Sequence, residues 1–392
     1  MTAGASRSSF PGFLGAWLAL VAGIVAAIAL THRLHGLLRL LAAGVAVIAL
    51  TTIPASFLGL ASDVVELRLL RAPLGTFVIA ATSIAAIAFA IRRGWRPRRG
   101  VPLGRLRIHP VAAVLGVIAV FALVLSAAVG MSRPPNSYDA LAYHAPLSLM
   151  IWNEGALGAV TASMPGNWSL AHPGTAEIWF GLLRLAGGEM LANLAQLAFH
   201  VIGFAAVTLF ARRLGADASS SYLAGVAFLL VPMVLVQAGR QLNDVAGAAL
   251  VVAAAAVAWL PAFGRARARL AFGGLCLGLA VATKLAVLPA VLAVGLVMVL
   301  YSLPTGAVAG VALADRLKRQ LAARLQLAWA AAAFLLPTAP WWLRNMAQFG
   351  NPVYPASVPG LPGVSQQSLG MRPRVRAARR AVAAISAPRA PQ

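Results

Sequence analysis

Ten long apolar stretches divide this chain, at residues 13–30, 41–60, 73–91, 111–130, 189–210, 221–238, 243–261, 270–283, 285–301 and 325–343. A helix of about 17 residues or more can cross roughly 30 Å of hydrocarbon, and only the eighth stretch is short by that measure. With 60% hydrophobic residues, 10% charged residues and a mean hydropathy of +0.84, the chain cannot be a soluble globule. The expected fold class is all-α: a polytopic helical membrane protein of about ten transmembrane helices.

A net charge of +23 raises nucleic acid as a partner, but that needs a basic face or arm. Here the basic residues punctuate the helices, so the expected partner is the lipid bilayer and not nucleic acid. Placing the Arg-rich loop 92–109 in the cytoplasm, as the positive-inside tendency requires, fixes every other loop by alternation. The five inner loops then hold 18 Lys or Arg, whereas the outer segments before the C-terminal tail hold 8: Arg7, Arg68, Arg71, Arg133, Arg184, Arg240, Lys284 and Arg344. The expected location is the plasma (inner) membrane. Asp139, Glu177, Asp244, Lys284 and Arg344 all fall at its outer surface, in a chain with nine acidic residues and two lysines.

The segment 131–188 is too polar and Pro-broken to cross the bilayer, and too apolar to float free. Two parts of it read as interfacial helices. The first runs from Asp139 to Trp152 and bends at Pro146; the second starts after His172-Pro173-Gly174 and runs from Thr175 to Leu185. Met164-Pro165-Gly166-Asn167-Trp168 reads as a turn between them. Asp139 and Tyr143, four apart, share a face if the helix begins early enough, and His144 points elsewhere. Asn167-Trp168-Ser169 matches a glycosylation acceptor pattern on the outer side, one common by chance. Cys276 is the chain's single cysteine, so the outer loops hold their shape without an internal disulfide. The first apolar stretch is long and flanked only by Arg7, which predicts a retained helix rather than a cleaved signal.

Read in order, several motifs resemble the GT-C superfamily of polyprenyl-phosphate-sugar-dependent glycosyltransferases, which includes protein O-mannosyltransferases and lipid A aminoarabinose transferases. Asp139 stands early in the first long outer loop, His172-Pro173 opens the second loop helix, and a span ends in Ala211-Arg212-Arg213-Leu214-Gly215. Gln241-Leu242-Asn243-Asp244 resembles the second acidic outer position. Gly278-Leu279-Ala280-Val281-Ala282-Thr283-Lys284 resembles the family's helix ending in Thr-Lys. Trp342-Leu343-Arg344-Asn345 with Gly350-Asn351-Pro352-Val353-Tyr354-Pro355 resembles its Arg-Asn to Asn-Pro-Val-Tyr-Pro segment. Each motif alone is weak, and the ordered set covers about 225 residues.

The resemblance implies inverting transfer of a hexosyl or pentosyl unit from a polyprenyl-phosphate donor to a hydroxyl of a protein, lipid or polysaccharide acceptor on the outer face. Asp139 would be the general base. Lys284 and Arg344, then Arg240, would offset charge developing on the phosphate. Asp244, Tyr143, His144, His172 and Glu177 complete the candidate substrate-binding set. A phosphate leaving group needs no second carboxylate acting as acid, unlike ordinary glycosidases. No dedicated metal cluster or other cofactor is expected, while a divalent ion shared by Asp139, Asp244 and the donor phosphate stays open.

Each residue also has a structural reading. Asp139 and Asp244 suit helix caps, Lys284 could snorkel to the headgroups, and Arg344 could do so beside the Trp341-Trp342 anchor. Tyr143, His144, His172 and Glu177 suit packing or hydrogen bonding within the loop. His200 fits an interhelical hydrogen bond, and Gly274 with Gly278 a close helix contact. A transporter or lipid flippase is the competing class, but those usually keep ionisable or helix-breaking positions near the midplane. Here Asp63, Glu66, Asp217 and Asp315 fall in loops and Glu189 at a helix start. A non-catalytic scaffold is the third class, because fold does not prove activity.

The expected divisions are a membrane module at 1–110, a GT-C-like membrane domain at 111–355 containing the outer loop 131–188, and a Pro/Gly- then Arg-rich tail at 356–392. Many such relatives place the Asp139-type loop directly after their first helix and continue through further spans beyond the Asn-Pro-Val-Tyr-Pro segment. The resemblance is therefore to a form with an added N-terminal module and a short C-terminal end, and a non-catalytic relative lacking acceptor-binding elements is the matching alternative.

Overall fold

The computed structural model describes residues 10–95, 108–158, 168–258, 260, 265–302 and 313–363. Helices α1 (Phe10–Leu30), α2 (Gly36–Val65), α3 (Leu74–Arg92) and α4 (Pro110–Ser132) come first, and a π-helical turn (Ala140–His144) leads into α5 (Ala145–Glu154). A 3-10 turn (Trp168–Ala171) precedes α6 (Thr175–Asn193), α7 (Leu197–Arg213), α8 (Ala218–Leu230), α9 (Pro232–Val236) and a second 3-10 turn (Gln237–Gly239). The rest is α10 (Asp244–Ala258), α11 (Ala266–Thr283), a third 3-10 turn (Leu285–Val287), α12 (Leu288–Ser302) and α13 (Leu313–Phe349). The expected turn at 164–167, Asn167 of the acceptor pattern, Arg7, loop residues 96–107 and the tail from 364 lie outside the described residues.

Among the described residues seven helices are long and apolar enough to cross a membrane, or up to nine if each of two bent pairs counts as one span. The protein is thus a helical, membrane-embedded one. The stretch expected as one span at 189–210 is broken instead: α6 and α7 meet at 71°. Inside α6 the chain also departs from helical geometry at Gly187 and Gly188, and Gly188 has φ +69° and ψ −161°, a region open essentially to glycine alone. The stretch at 221–238 bends by 58° between α8 and α9, because Val231, at φ −56° and ψ 123°, precedes Pro232 and is pushed out of the helical region. The stretch at 243–261 forms α10, at 15 residues shorter than a full span.

Burial separates central from peripheral helices. In α11 61% of the span is buried, against 22% in α4 and 17% in the span formed by α12 with its leading 3-10 turn, so α4 and α12 turn most of their apolar surface outward, toward lipid. The expected close contact of α11 is present: a Cβ on Gly274 or Gly278 would lie 2.1 or 2.2 Å from the Ala330 or Phe334 carbonyl oxygen of α13. His200 has ring nitrogens 2.8 Å from the carbonyl oxygens of Gln196 on its own chain segment and Val234 on α9, a bridge between helices. One buried apolar cluster extends from Ala16 on α1 to Trp341 on α13.

The segment expected as the second interfacial helix lies inside this packing. All residues of α6 from Thr175 to Leu183 are buried. Gly181 makes room for the Trp152 ring of α5, whose Nε1 donates to the Ile178 carbonyl at 3.2 Å. Its apolar residues occupy the whole helix surface rather than one stripe, so enclosure suits them better than a flat interface.

Candidate functional site: a polar cavity beside an arginine-topped groove

The site begins at the π-helical turn. Pro146 has no N–H to return to the carbonyl one turn earlier, and the turn before it widens to the π form over Ala140–His144. Asp139 precedes that turn and makes no side-chain cap, so the capping role open to it from sequence is not the one it plays. Tyr143 and His144 sit side by side, their ring centroids 4.0 Å apart.

His144 faces α6. Its Nδ1 lies 2.5 Å from Glu177 Oε1, and both side chains are 1% exposed. Asn243, just before α10, donates through Nδ2 to the same Oε1 at 3.3 Å and to the Thr283 carbonyl of α11 at 3.0 Å. Four segments far apart in sequence are thereby tied at one point.

Next to that network, the Lys284 ammonium pairs with Asp244 Oδ1, and Gln237 Nε2 donates to Asp244 Oδ2 at 3.1 Å. The Val245 N–H at the start of α10 goes to Gln237 Oε1 at 3.3 Å. Gln237 therefore serves the helix start, and Asp244, favoured from sequence as a cap, is engaged with Lys284.

Tyr143, His172, Glu177, Asn243, Thr283 and Lys284 line a cavity of about 130 Å³. Burial, then the charges of Arg344, Lys284 and His144, push the His172 pKa down to about 4, so its imidazole is neutral at pH 7. Burial, followed by the carboxylates of Asp139, Glu177 and Asp244, raises the Tyr143 phenol well above its ordinary value. Tyr143 keeps its proton and is the point where those three carboxylates' fields converge.

Arg344 departs from its expected role. It is 2% exposed and neither snorkels nor opens to the cavity. Its guanidinium lies 4.9 Å above the Trp341 ring, donates through Nε and Nη2 to Asn345 Oδ1 at 3.0 and 2.7 Å, and donates through Nη2 to the carbonyls of Ala171 and His172. Trp341 is itself buried, its Nε1 donating to Thr175 Oγ1 at 3.1 Å. Arg344 thus fastens the end of α13 to the segment carrying His172.

Arg240 lies elsewhere, on a larger groove of about 370 Å³ between α4 and α9. Its lower wall is apolar, with Leu125, Val129, Leu235 and Val236, and its rim carries Arg133, Asn136, Arg240 and Gln241. Among the described residues neither Arg133 nor Arg240 has a carboxylate partner. Arg184 Nη2 donates to Gln241 Oε1 at 2.7 Å, Gln241 Nε2 to Asn193 Oδ1 at 2.8 Å, and Asn193 Nδ2 to the Gly130 carbonyl at 2.8 Å, so the rim is braced against α4 and α6. Ser137 and Ala140 belong to the groove and Tyr143 to the cavity; Asp139, just before the π-helical turn, lies between them in the chain and lines neither.

Sequence reasoning did not assign Arg133, Asn243 or Thr283 to the site. Asn243 and Thr283 stand beside Asp244 and Lys284, whose charge is the stronger sequence signal, and Arg133 is one of eight outer basic residues with no motif around it. Among the described residues no group of three His, Cys, Asp or Glu side chains is arranged to hold a metal ion. No protein-family model matches the chain, and comparison with curated proteins and with solved structures gives no match.

Proposed function

We propose that this protein transfers a sugar from a polyprenyl-phosphate donor to an acceptor hydroxyl at the outer membrane interface, with inversion. The observation that supports the reading best is the short run of chain that leads from Ser137 and Ala140 on the groove to Tyr143 on the cavity, with Asp139 within it though on the lining of neither. The groove offers an apolar wall for a lipid chain beside two arginines without a carboxylate partner for its phosphate, and the cavity is small, with polar side chains set among apolar ones. Arg240 and Arg133 take the place in this scheme that Arg344 held in the sequence reading, because Arg344 is committed to backbone carbonyls. Lys284 acts with its charge partly balanced by Asp244.

In the reaction, the Asp139 carboxylate takes the acceptor hydroxyl's proton as that oxygen bonds to the anomeric carbon. The bond from that carbon to the phosphate oxygen breaks, and its electron pair leaves with polyprenyl phosphate. Guanidinium groups bind the departing phosphate through paired N–H donors, and neutral Tyr143 is positioned by its retained proton to donate rather than accept.

The test is turnover of radiolabelled polyprenyl-phosphate sugars by the full chain in lipid nanodiscs. Sugar release or transfer by the wild type that vanishes in Asp139→Asn is the expected result. Absence of turnover across glucosyl, mannosyl, galactosyl and arabinosyl donors, with the protein folded, would reject the reading.

A further inference from the structure

The small cavity, lined by polar and apolar side chains together, carries unmet hydrogen-bonding oxygens. Three residues on its wall each keep a buried side-chain oxygen with no partner: Glu177 Oε2, Asn243 Oδ1 and Thr283 Oγ1. Native proteins leave few such atoms, because an unmade buried hydrogen bond costs more stability than a made one adds. Ser83, Ser137 and Gln196 also keep unpartnered buried oxygens elsewhere, but among the threonines Thr283 departs from the pattern. Elsewhere in this protein helical threonines satisfy their hydroxyls on the carbonyl four residues back: Thr52 on Ile48 at 2.7 Å, Thr82 on Val78 at 3.0 Å, Thr208 on Phe204 at 2.8 Å and Thr338 on Phe334 at 3.0 Å. Thr283, in the last turn of α11, does not.

The chemistry of the three atoms restricts what could complete them. A carboxylate oxygen and an amide oxygen only accept, and the hydroxyl does either, so the missing ligand must supply donors. Lys284 is paired with Asp244, and Arg344, whose Nη2 serves carbonyls while its Nη1 has no partner, does not line the cavity. Their charge also disfavours an ammonium ligand here. At ~30 Å³ per water, about 130 Å³ is room for roughly four waters, the scale of one small ring bearing hydroxyl groups.

We propose that the cavity is a hydroxyl-recognising subsite that seats a single sugar ring, with Glu177, Asn243 and Thr283 accepting hydrogen bonds from its hydroxyls. His144 is a positioning residue: by holding Oε1 of Glu177 it fixes the carboxylate and leaves Oε2 for the ligand. The proposal rests on the transferase reading only for which sugar arrives there; the subsite itself stands on its own geometry.

The deciding experiment measures binding of methyl glycosides of glucose, galactose, mannose and arabinose to the full chain in nanodiscs by saturation-transfer NMR, beside melting temperature. Thr283→Val exchanges the hydroxyl for a methyl of the same shape. Because the hydroxyl has no protein partner, the variant is expected to melt at or above the wild-type temperature yet bind the glycoside about tenfold more weakly, the loss of one hydrogen bond. Thr283→Ser, which keeps the hydroxyl, is expected to bind as the wild type does. Glu177→Gln, which replaces one acceptor by a donor, is expected to bind weakly as well. Failure of every glycoside to saturate, wild-type binding by Thr283→Val, or equal losses in the Val and Ser variants would overturn the proposal. Glycoside binding without turnover of any lipid-linked donor would reject the transferase and leave the subsite. Asp139-dependent turnover with glycoside binding indifferent to Thr283 would do the reverse.

Discussion

α11 is packed in two opposite ways along its length. In its middle, Gly274 and Gly278 bring it so close to α13 that a single added carbon would collide with backbone oxygen. At its end, Thr283 keeps an unpartnered hydroxyl and Lys284 fronts an open cavity. The same helix thus has no spare room in the apolar layer and unfilled room, with unmade hydrogen bonds, at the polar end. Packing fixes where α11 stands, and the under-satisfied end is where local consistency yields to a ligand. Substitutions at the two ends should separate accordingly, stability falling in one place and activity in the other.

The largest effect is expected at the closed end. Gly278→Val places its Cβ against the Phe334 carbonyl, and backbone cannot step aside as a flexible side chain can. We expect a loss of about 3 kcal/mol or more, read as a collapse of the melting temperature in detergent. Gly295→Ala on α12 is the control, because its Cβ would meet only Leu277 Cδ1 at an ordinary 3.8 Å; it should be neutral or slightly stabilising. Equal melting of Gly278→Val and wild type would end the contrast between the two ends of α11.

At the open end, Asp139→Asn should leave melting unchanged, since Asp139 caps no helix. Turnover should fall by about 10²–10⁴, the usual contribution of a general base. A stability loss near 1 kcal/mol with little change in turnover would instead return Asp139 to a capping role.

The pH dependence of stability probes the cavity wall from another side. His172 has its pKa lowered from 6.5 to about 4 in the folded protein. As pH falls, the unfolded chain therefore takes up this proton first. The stability associated with a neutral His172 is complete above about 6.5 and is lost progressively down to about 4, an effect on the order of 2–3 kcal/mol. His172→Gln should flatten that part of the profile. A slope that survives the substitution would mean that burial of His172 between Arg344 and Lys284 is not its source.

The sequence made the membrane class and most helices legible because a 17-residue apolar run has few other fates in a chain with so few charges. By loop alternation alone it put Asp139, Glu177, Asp244, Lys284 and Arg344 at one surface, and of these Glu177 and Lys284 line the cavity, where Asp244 pairs with Lys284. It did not show the breaks at Gly188 and Val231, since the apolar run continues through both and only the backbone geometry changes. Nor did it show that α6 is enclosed: Trp152 and Gly181 fit one another across elements that no local pattern pairs. The sequence ranked Arg344 ahead of Arg240 for the phosphate, each an arginine beside an apolar stretch, and the structure reverses that order. What separates them is the Ala171 and His172 carbonyls, which reach one and not the other.

That last difference yields the smallest of the expected effects and the sharpest contrast between a structural and a binding arginine. Arg344 is enclosed and hydrogen-bonded at Nε and Nη2, so Arg344→Lys, which cannot reproduce the planar fork, should lower the melting temperature before any kinetic constant is considered. Arg240 lines the groove without a carboxylate partner, so Arg240→Gln should leave melting unchanged. It should raise the KM for a lipid-phosphate donor about tenfold, the range of one charge-assisted hydrogen bond, and Arg133→Gln on the facing rim should act alike. Because rim charges are screened by salt, raising ionic strength should weaken donor binding in the wild type and have less effect in the double variant. If Arg240→Gln melts early with KM unchanged, the groove is a structural seam and the lipid phosphate must be sought elsewhere on the protein.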